Sequence, residues 1–207
     1  MSIWNLFSTP IYVNRVDGES FKKIQKELEN IINLIKYNDN FIGSHDLNSE
    51  FFDPLNTKIN ENILTSKILK DYNCLNLTNK ISENTIEYLK NIGITDGIQL
   101  EITNSWMTCS TKGYHTQVHH HESSDISGIY YYNTNEVDGN LYFRSPTKYM
   151  EISKIFKHSS NKYSTQDFQI TPVTGMMILF PSWLDHGVRT NVTDNERISI
   201  SFNIKSL

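Results

Sequence analysis

The chain has little that would tie it to a secreted, membrane-bound or nucleic-acid-binding protein. Of 207 residues only two are cysteine, Cys74 and Cys109, far apart and without CxxC spacing, so no disulfide framework is expected. A reducing, cytoplasmic setting is the default. Five prolines and nine glycines, dispersed along the sequence, leave no flexible linker, low-complexity tract or internal repeat. No run of about 18 apolar residues occurs. The opening MSIWNLFSTPIYVNRV has no basic leader followed by an apolar stretch of signal length, so neither membrane nor secretion is expected. Net charge is −4, and the lysines and arginines form no basic stripe, which leaves no electrostatic footprint for nucleic acid.

What is present divides the chain in two. The length suits one domain with a sizeable core, and we read 1–207 as a single domain with a helical part, 1–96, and a strand-rich part, 97–207. Phe21, Ile24, Leu28, Ile31, Ile32 and Ile35 recur at helical spacing up to about Tyr37, after the capping candidates Asp17, Gly18 and Ser20. A second helical pattern covers Thr78 to Ile92, with Ile81, Ile86, Leu89 and Ile92 assigned to one side and Gly93 as its left-handed stop. Residues 38–77 are polar and irregular, with Asp53-Pro54 as a turn and a short helix expected near Thr57 to Leu64.

From Gly97 the period changes to two, with Leu100, Ile102 and Asn104 opposed to Glu101, Thr103 and Ser105. Strands are expected at about 113–121, 126–133, 139–144, 167–173, 175–181 and 195–204, separated by turn clusters such as Asn135 to Gly139. So many strands at this spacing indicate a double-sheet roll or a barrel.

The stretch YHTQVHHHESSDISGIYY holds four of the seven histidines. On a strand, His115, Gln117, His119 and His121 share one face and Tyr114, Thr116, Val118 and His120 the other. A His-x-His pair puts two imidazoles roughly 7 Å apart at Cα, able to converge on one transition-metal ion that takes its third ligand from elsewhere. The second informative stretch is VTGMMILFPSWLDHGVRTNVTDNERISISFN. Gly175 turns the chain, Met176 to Phe180 form an apolar strand, and His186 follows a short loop. Arg197, Ser199 and Ser201 then share a face opposite Ile198 and Ile200, and a guanidinium beside a hydroxyl is a good receptor for a carboxylate.

The His-x-His beside SGIYYY, the segment FPSWLDH and the closing ERISISFN together resemble the iron(II)- and 2-oxoglutarate-dependent oxygenases, specifically a 2OG-Fe(II) oxygenase group known from marine bacteria and phages. LFSTPIY near the start resembles that group's N-terminal signature. The resemblance implies a mainly β, α+β fold, a double-stranded β-helix or cupin-like jelly roll with the N-terminal helices packed on it. It further implies a hydroxylase that uses Fe(II), 2-oxoglutarate and O2 and releases succinate and CO2. On this resemblance His186 is the distal metal ligand, Arg197 anchors the far carboxylate of 2-oxoglutarate, Ser199 supports it, and Tyr114 or Tyr130 donates a hydroxyl to the same group.

One position departs from the superfamily, where the first ligand pair is His-x-Asp or His-x-Glu. In the register that Gly128 and the tyrosine run set, the carboxylate's place is taken by His121. Two assignments stay open: His119, His121 and His186 as a three-histidine site, the favoured one, or His120, Glu122 and His186 as a two-histidine, one-carboxylate site. Asn104 and Tyr132 are candidates for lining the cavity, and Asn203 for that or for a strand edge. His115 shares the ligand face, His158 sits in a polar, solvated stretch, Cys109 reads as a buried strand residue, and Trp106 and Trp183 read as core.

Two other readings stand beside a hydroxylase of a peptidyl or small-molecule substrate. One is a three-histidine, cupin-type dioxygenase that does without 2-oxoglutarate, and the other a jelly-roll binding module without catalysis. The segments expected to choose substrate, Asn38 to Asn76 and Phe143 to Asp167, carry no readable motif. The N-terminal helices are expected to bury a face against the roll or against the second subunit of a homodimer.

Overall fold

The computed structural model describes residues 8–37, 67–95, 97–147 and 166–207. Two antiparallel sheets face each other as a jelly roll. The strands are β1 (Tyr12–Arg15), β2 (Leu100–Ser110), β3 (Thr116–His119), β4 (Ile126–Asn133), β5 (Leu141–Arg144), β6 (Asp167–Ile170), β7 (Met176–Pro181), β8 (His186–Val188) and β9 (Arg197–Ser206). The larger sheet runs β1-β7-β4-β9-β2 and the smaller β3-β8-β5-β6. β4 keeps the span expected for it, whereas β3 is shorter and β1 and β8 are additions. Three residues of β8 are too few to show alternation, which is why His186 reads as loop in sequence.

Three helices complete the described part: α1 (Gly18–Tyr37), α2 (Ile68–Asp71) and α3 (Leu75–Asn91). The helix expected near Thr57 to Leu64 lies outside the described residues. α1 buries Ile24, Leu28, Ile31 and Ile32 at three- and four-residue spacing, against Leu77, Ile81 and Tyr88 of α3 and the outer face of the larger sheet. The roll is thus the first of the two partners expected for these helices. Glu27 of α1 accepts bonds from the backbone N–H groups of Asn76 and Leu77 at 2.9 and 3.0 Å, supplying the N-terminus of α3 with an anion. α3 ends as expected, with Gly93 at φ 85°. Its buried face differs from the expected one: Leu77, Ile81, Asn84, Thr85 and Tyr88 are covered, while Ile86 and Ile92 are exposed. Five residues beyond Ile81 is well over a third of a turn off its face, so an isoleucine there points away.

Parity sorts the larger sheet into two environments. Ile198, Ile200, Phe202 and Ile204 of β9, Met177 and Leu179 of β7 and Tyr130 of β4 pack under the helices. Ile129 and Tyr131 of β4 and Ile178 and Phe180 of β7 instead meet Leu141, Phe143 and Leu184 between the sheets. Arg197, Ser199, Ser201 and Asn203 therefore face the roll interior, as the β9 alternation predicts. β2 breaks the expected alternation. Ile102 pairs with Ile204 but Asn104 pairs with Asn203, so a bulge at Thr103 reverses the faces beyond it. Ser105 is consequently buried under α2, where it accepts from the Leu69 N–H at 3.1 Å, and Trp106, Thr108 and Ser110 turn inward beside Ser201, Ser199 and Arg197.

Gly128 sets the spacing of this sheet against the helices. A methyl group there would overlap the Phe202 ring and press on Leu179. Gly128→Ala is expected to cost about 3 kcal/mol by overpacking, seen as a fall of roughly 6–12 °C in the circular-dichroism melting temperature. Among the described residues, no helix is long and apolar enough to cross a membrane.

Candidate metal centre and anion pocket

His119 sits at the end of β3 directly opposite His186 at the start of β8. Thr116 opposes Val188, so one extra residue is accommodated in β3 between Thr116 and His119. The strand stops at His119, and the chain turns so that the His121 N–H donates to the Ser182 carbonyl at 2.9 Å. That turn, rather than strand alternation, swings His121 back beside its neighbours. One nitrogen from each of His119, His121 and His186 lies within 4.8 Å of the others. Ring centroids are 4.4 Å apart for His119 and His186, 5.1 Å for His119 and His121, and 5.3 Å for His121 and His186. The Trp106 ring stands 5.7 Å from His121 and the Phe180 ring 4.7 Å from His186.

His120 and Glu122 lie elsewhere. His120 is exposed, with Nδ1 at 2.9 Å from Asp185 and Nε2 at 3.4 Å from Glu122. The structure brings together the first of the two candidate sets read from sequence and leaves His120 and Glu122 of the second on the surface, away from His186. His115 is displaced too, because the bulge interrupts the parity that joined it to His119; it lines an outer groove with Gln117, Tyr142 and Arg189. His158 lies outside the described residues. Trp183 is exposed rather than core, and Cys109 is buried as expected.

The electrostatics suit a cation. Burial lowers the pKa of His119, lowers His121 to about 4 with help from the other imidazoles, and holds His186 well below its ordinary value. All three are neutral at pH 7, with lone pairs free for a metal. His120 shifts the other way, raised by its bond to Asp185. For His119, His121 and His186 the folded pKa lies below the unfolded value of about 6.5, so as pH falls the unfolded chain takes up protons first. Without metal, stability is therefore expected to be full above about pH 6.5 and to decline towards the His121 value of about 4. Melting curves across this range should show a shallower decline for His121→Asn than for the wild type.

Deeper between the sheets is an arginine without a counter-ion. Arg197 is 2% exposed; Nη1 donates to the carbonyls of Asp138 and Gly139 at 3.1 and 2.7 Å, Nη2 donates to Ser110 Oγ at 2.8 Å, and Nε has no partner. No carboxylate among the described residues forms an ion pair with it. The nearby Asp138 carboxylate is occupied by Thr134, the Asn135 N–H and Asn195. Two tyrosines adjoin the cation: burial raises the pKa of Tyr114, and that of Tyr131 to about 12, while Arg197 pulls both down. The fully buried Tyr131 hydroxyl has no partner either. Ser199 is buried on the same face, opposite Tyr131.

Tyr130 is a correction to the sequence reading. It packs with the helices on the outer face of the sheet, where Gln25 Nε2 donates to its hydroxyl at 3.3 Å. Neighbours on a strand point to opposite sides, so the tyrosine facing Arg197 is Tyr131. Tyr132 likewise packs on the helix side, and Asn104 lies on the inward face but exposed. Ser110, Tyr131 and the Asp138 and Gly139 carbonyls escaped the sequence reading. Parity along SGIYYY was the one available signal for Tyr131.

Residues 104–203 match the model of the family described as "Putative 2OG-Fe(II) oxygenase". The match spans just under half of the chain and lies within its strand-rich part. No curated protein matches it by sequence. Solved structures of 2OG-Fe(II) oxygenases resemble it in fold, all at low identity. A Trichoplax adhaerens prolyl hydroxylase in complex with a hypoxia-inducible-factor peptide aligns with TM-score 0.59 at 12% identity, over 97% of this chain and 85% of the other. A Pseudomonas putida prolyl-4-hydroxylase aligns with TM-score 0.56 at 11% identity, over 97% and 90%. HygX of Streptomyces hygroscopicus, with nickel and 2-oxoglutarate bound, gives 0.55 at 12%, over 95% and 83%. The jelly-roll class expected from the strands is the fold this chain shares with these structures.

Proposed function

We propose that this protein is an Fe(II)- and 2-oxoglutarate-dependent dioxygenase, a hydroxylase of a peptidyl side chain or small molecule, with its metal on His119, His121 and His186. The observation that carries this reading is the buried, carboxylate-free Arg197 in the same roll interior as three neutral imidazoles. An unpaired buried cation is costly, and a carboxylate completing its donor set removes that cost. Iron held by His119, His121 and His186 would supply the redox chemistry that couples oxidation of a substrate to conversion of 2-oxoglutarate and O2 into succinate and CO2.

The residues divide the remaining work. His119 and His186 each aim Nδ1 at a backbone carbonyl, of Gln117 at 2.9 Å and Leu184 at 2.8 Å, which fixes the tautomer and leaves Nε2 for the metal. Arg197 and the Tyr131 hydroxyl offer unused donors to the far carboxylate, with Tyr114 and Ser199 flanking. The apolar walls of Phe180, Phe143 and Leu184 keep water from the pocket. We take 1–207 as one domain acting in a reducing, cytoplasmic setting, in keeping with two free buried thiols.

The test is anaerobic addition of Fe(II) and then 2-oxoglutarate to the metal-free protein, followed by air. A visible charge-transfer band on the second addition, and succinate formed only with both additions, is the expected result. Iron binding without either signal would favour the three-histidine dioxygenase that does without 2-oxoglutarate.

A further inference from the structure

Three sequence motifs each contribute one buried polar residue that neither the metal nor the anion pocket uses. SGIYYY gives Ser127, FPSW gives Ser182 and ISFN gives Asn203, and they are 2%, 0% and 4% exposed. They meet at one point. Ser127 Oγ lies 2.8 Å from Ser182 Oγ and 2.8 Å from Asn203 Oδ1, and Asn203 Nδ2 lies 3.5 Å from His121 Nδ1. The Ser182 carbonyl also accepts from the His121 N–H, so ring and backbone of this one histidine hang on the same cluster.

The direction of the chain matters. As placed, Ser127 donates to the Asn203 oxygen and the Asn203 amide nitrogen faces His121 Nδ1. An amide nitrogen donating there would require the proton on Nε2 and leave His121 with no lone pair for a metal. The side-chain amide is nearly symmetric in shape, so both of its orientations fit the same space. Turning it by half a rotation reverses every bond without moving a heavy atom: Nδ2 donates to Ser127, Ser127 donates to Ser182, and Oδ1 accepts from His121 Nδ1–H. His121 would then match His119 and His186, each of which already has a carbonyl oxygen at Nδ1.

Resting on the metal assignment proposed above, we infer that Asn203, supported by Ser127 and Ser182, is a positioning residue whose amide oxygen fixes the His121 tautomer and so makes histidine a ligand at this position. The function is distinct from packing. An apolar residue of the same size would fill the space but leave the imidazole free to rotate and to protonate either nitrogen, and loss of such an outer partner typically weakens metal binding about 10–100-fold. An aspartate would keep the acceptor and lose only the donor to Ser127, whose hydroxyl can turn to donate to it.

The experiment is Co(II) titration of the metal-free full chain, read from its visible ligand-field bands, for wild type, Asn203→Leu, Asn203→Asp and Ser127→Ala. Wild type and Asn203→Asp are expected to bind within a few-fold of each other. Asn203→Leu should bind about 10–100-fold more weakly, with Ser127→Ala between. Because Asn203→Leu could fail to fold, a second measurement needs no variant: nitrogen-15 NMR of the Zn(II)-loaded wild type, where His121 should carry its proton on Nδ1. Leucine binding as well as wild type, aspartate binding as poorly as leucine, or a proton on Nε2 of His121 would each overturn the inference. Absence of Co(II) binding by the wild type would instead refute the metal assignment itself, and the inference with it.

Discussion

Replacing Arg197 by methionine is expected to weaken 2-oxoglutarate binding by about two to three orders of magnitude and to leave metal binding nearly unchanged. The hydrogen-bond partners of Arg197 are two backbone carbonyls and a serine, all neutral, and the Nε proton points at none of them. A carboxylate entering the pocket therefore gains a full charge partner in a site shielded from water, and removing one member of such a pair costs about 2–5 kcal/mol, each 1.4 being tenfold in affinity. The three histidines proposed to hold the metal sit on β3, the turn after it and β8, none of which bonds to Arg197, so metal affinity should persist. Lysine is not a conservative replacement, because it cannot reach Asp138, Gly139, Ser110 and a ligand at once. Arg197→Lys should lose most of the affinity too. The check is calorimetric titration of 2-oxoglutarate into metal-loaded protein under argon, with melting curves of each variant to separate binding from folding. A methionine variant that folds and binds 2-oxoglutarate normally would contradict the assignment.

The second large effect is expected at His186. This residue is the most central of the three, 6% exposed and packed against Phe180 with Phe143 beyond, and with both other imidazoles beside it. His186→Ala leaves two ligands, and its loss of metal affinity should exceed the about 10–100-fold seen when only an outer partner of a ligand is removed. Melting temperature offers a direct reading. Metal at a hundred times its dissociation constant stabilises the wild type by about 2.7 kcal/mol, and chelator removes that gain. In His186→Ala the curves with metal and with chelator should coincide. A variant that still gains several degrees from metal would place the ion elsewhere.

How far the site could be read from sequence depended on whether parity ran undisturbed. Along β9 it does, so Arg197 and Ser199 were legible as one inward face, and the tandem histidines were legible as a candidate pair because His119 and His121 converge whether by strand or by turn. Two bulges defeated the rest. The extra residue at Thr103 reversed the faces of β2 and hid Ser110, which among the described residues is the one side chain that bonds Arg197, while the one before His119 moved His115 away from the other histidines. A bulge is decided by what the partner strand needs, and nothing local announces it. Tyr130 and Tyr131 present the related difficulty that identical neighbours differ in parity alone, and the pairing of Tyr131 with Ser199 shows which of them faces inward. On α3 the amphipathic face was misread because Asn84 and Thr85 are buried there through specific bonds, Asn84 to Asn14 and Thr85 to the Ile81 carbonyl, which hydrophobicity alone does not predict.

Diffraction from crystals grown with Mn(II) and 2-oxoglutarate, recorded at a wavelength where manganese scatters anomalously, tests the central claim most directly. The account predicts one anomalous peak bonded by His119, His121 and His186, with the far carboxylate of 2-oxoglutarate on Arg197 and Tyr131. A peak between His120, Glu122 and Asp185, or a ligand that leaves Arg197 unpaired, would contradict it.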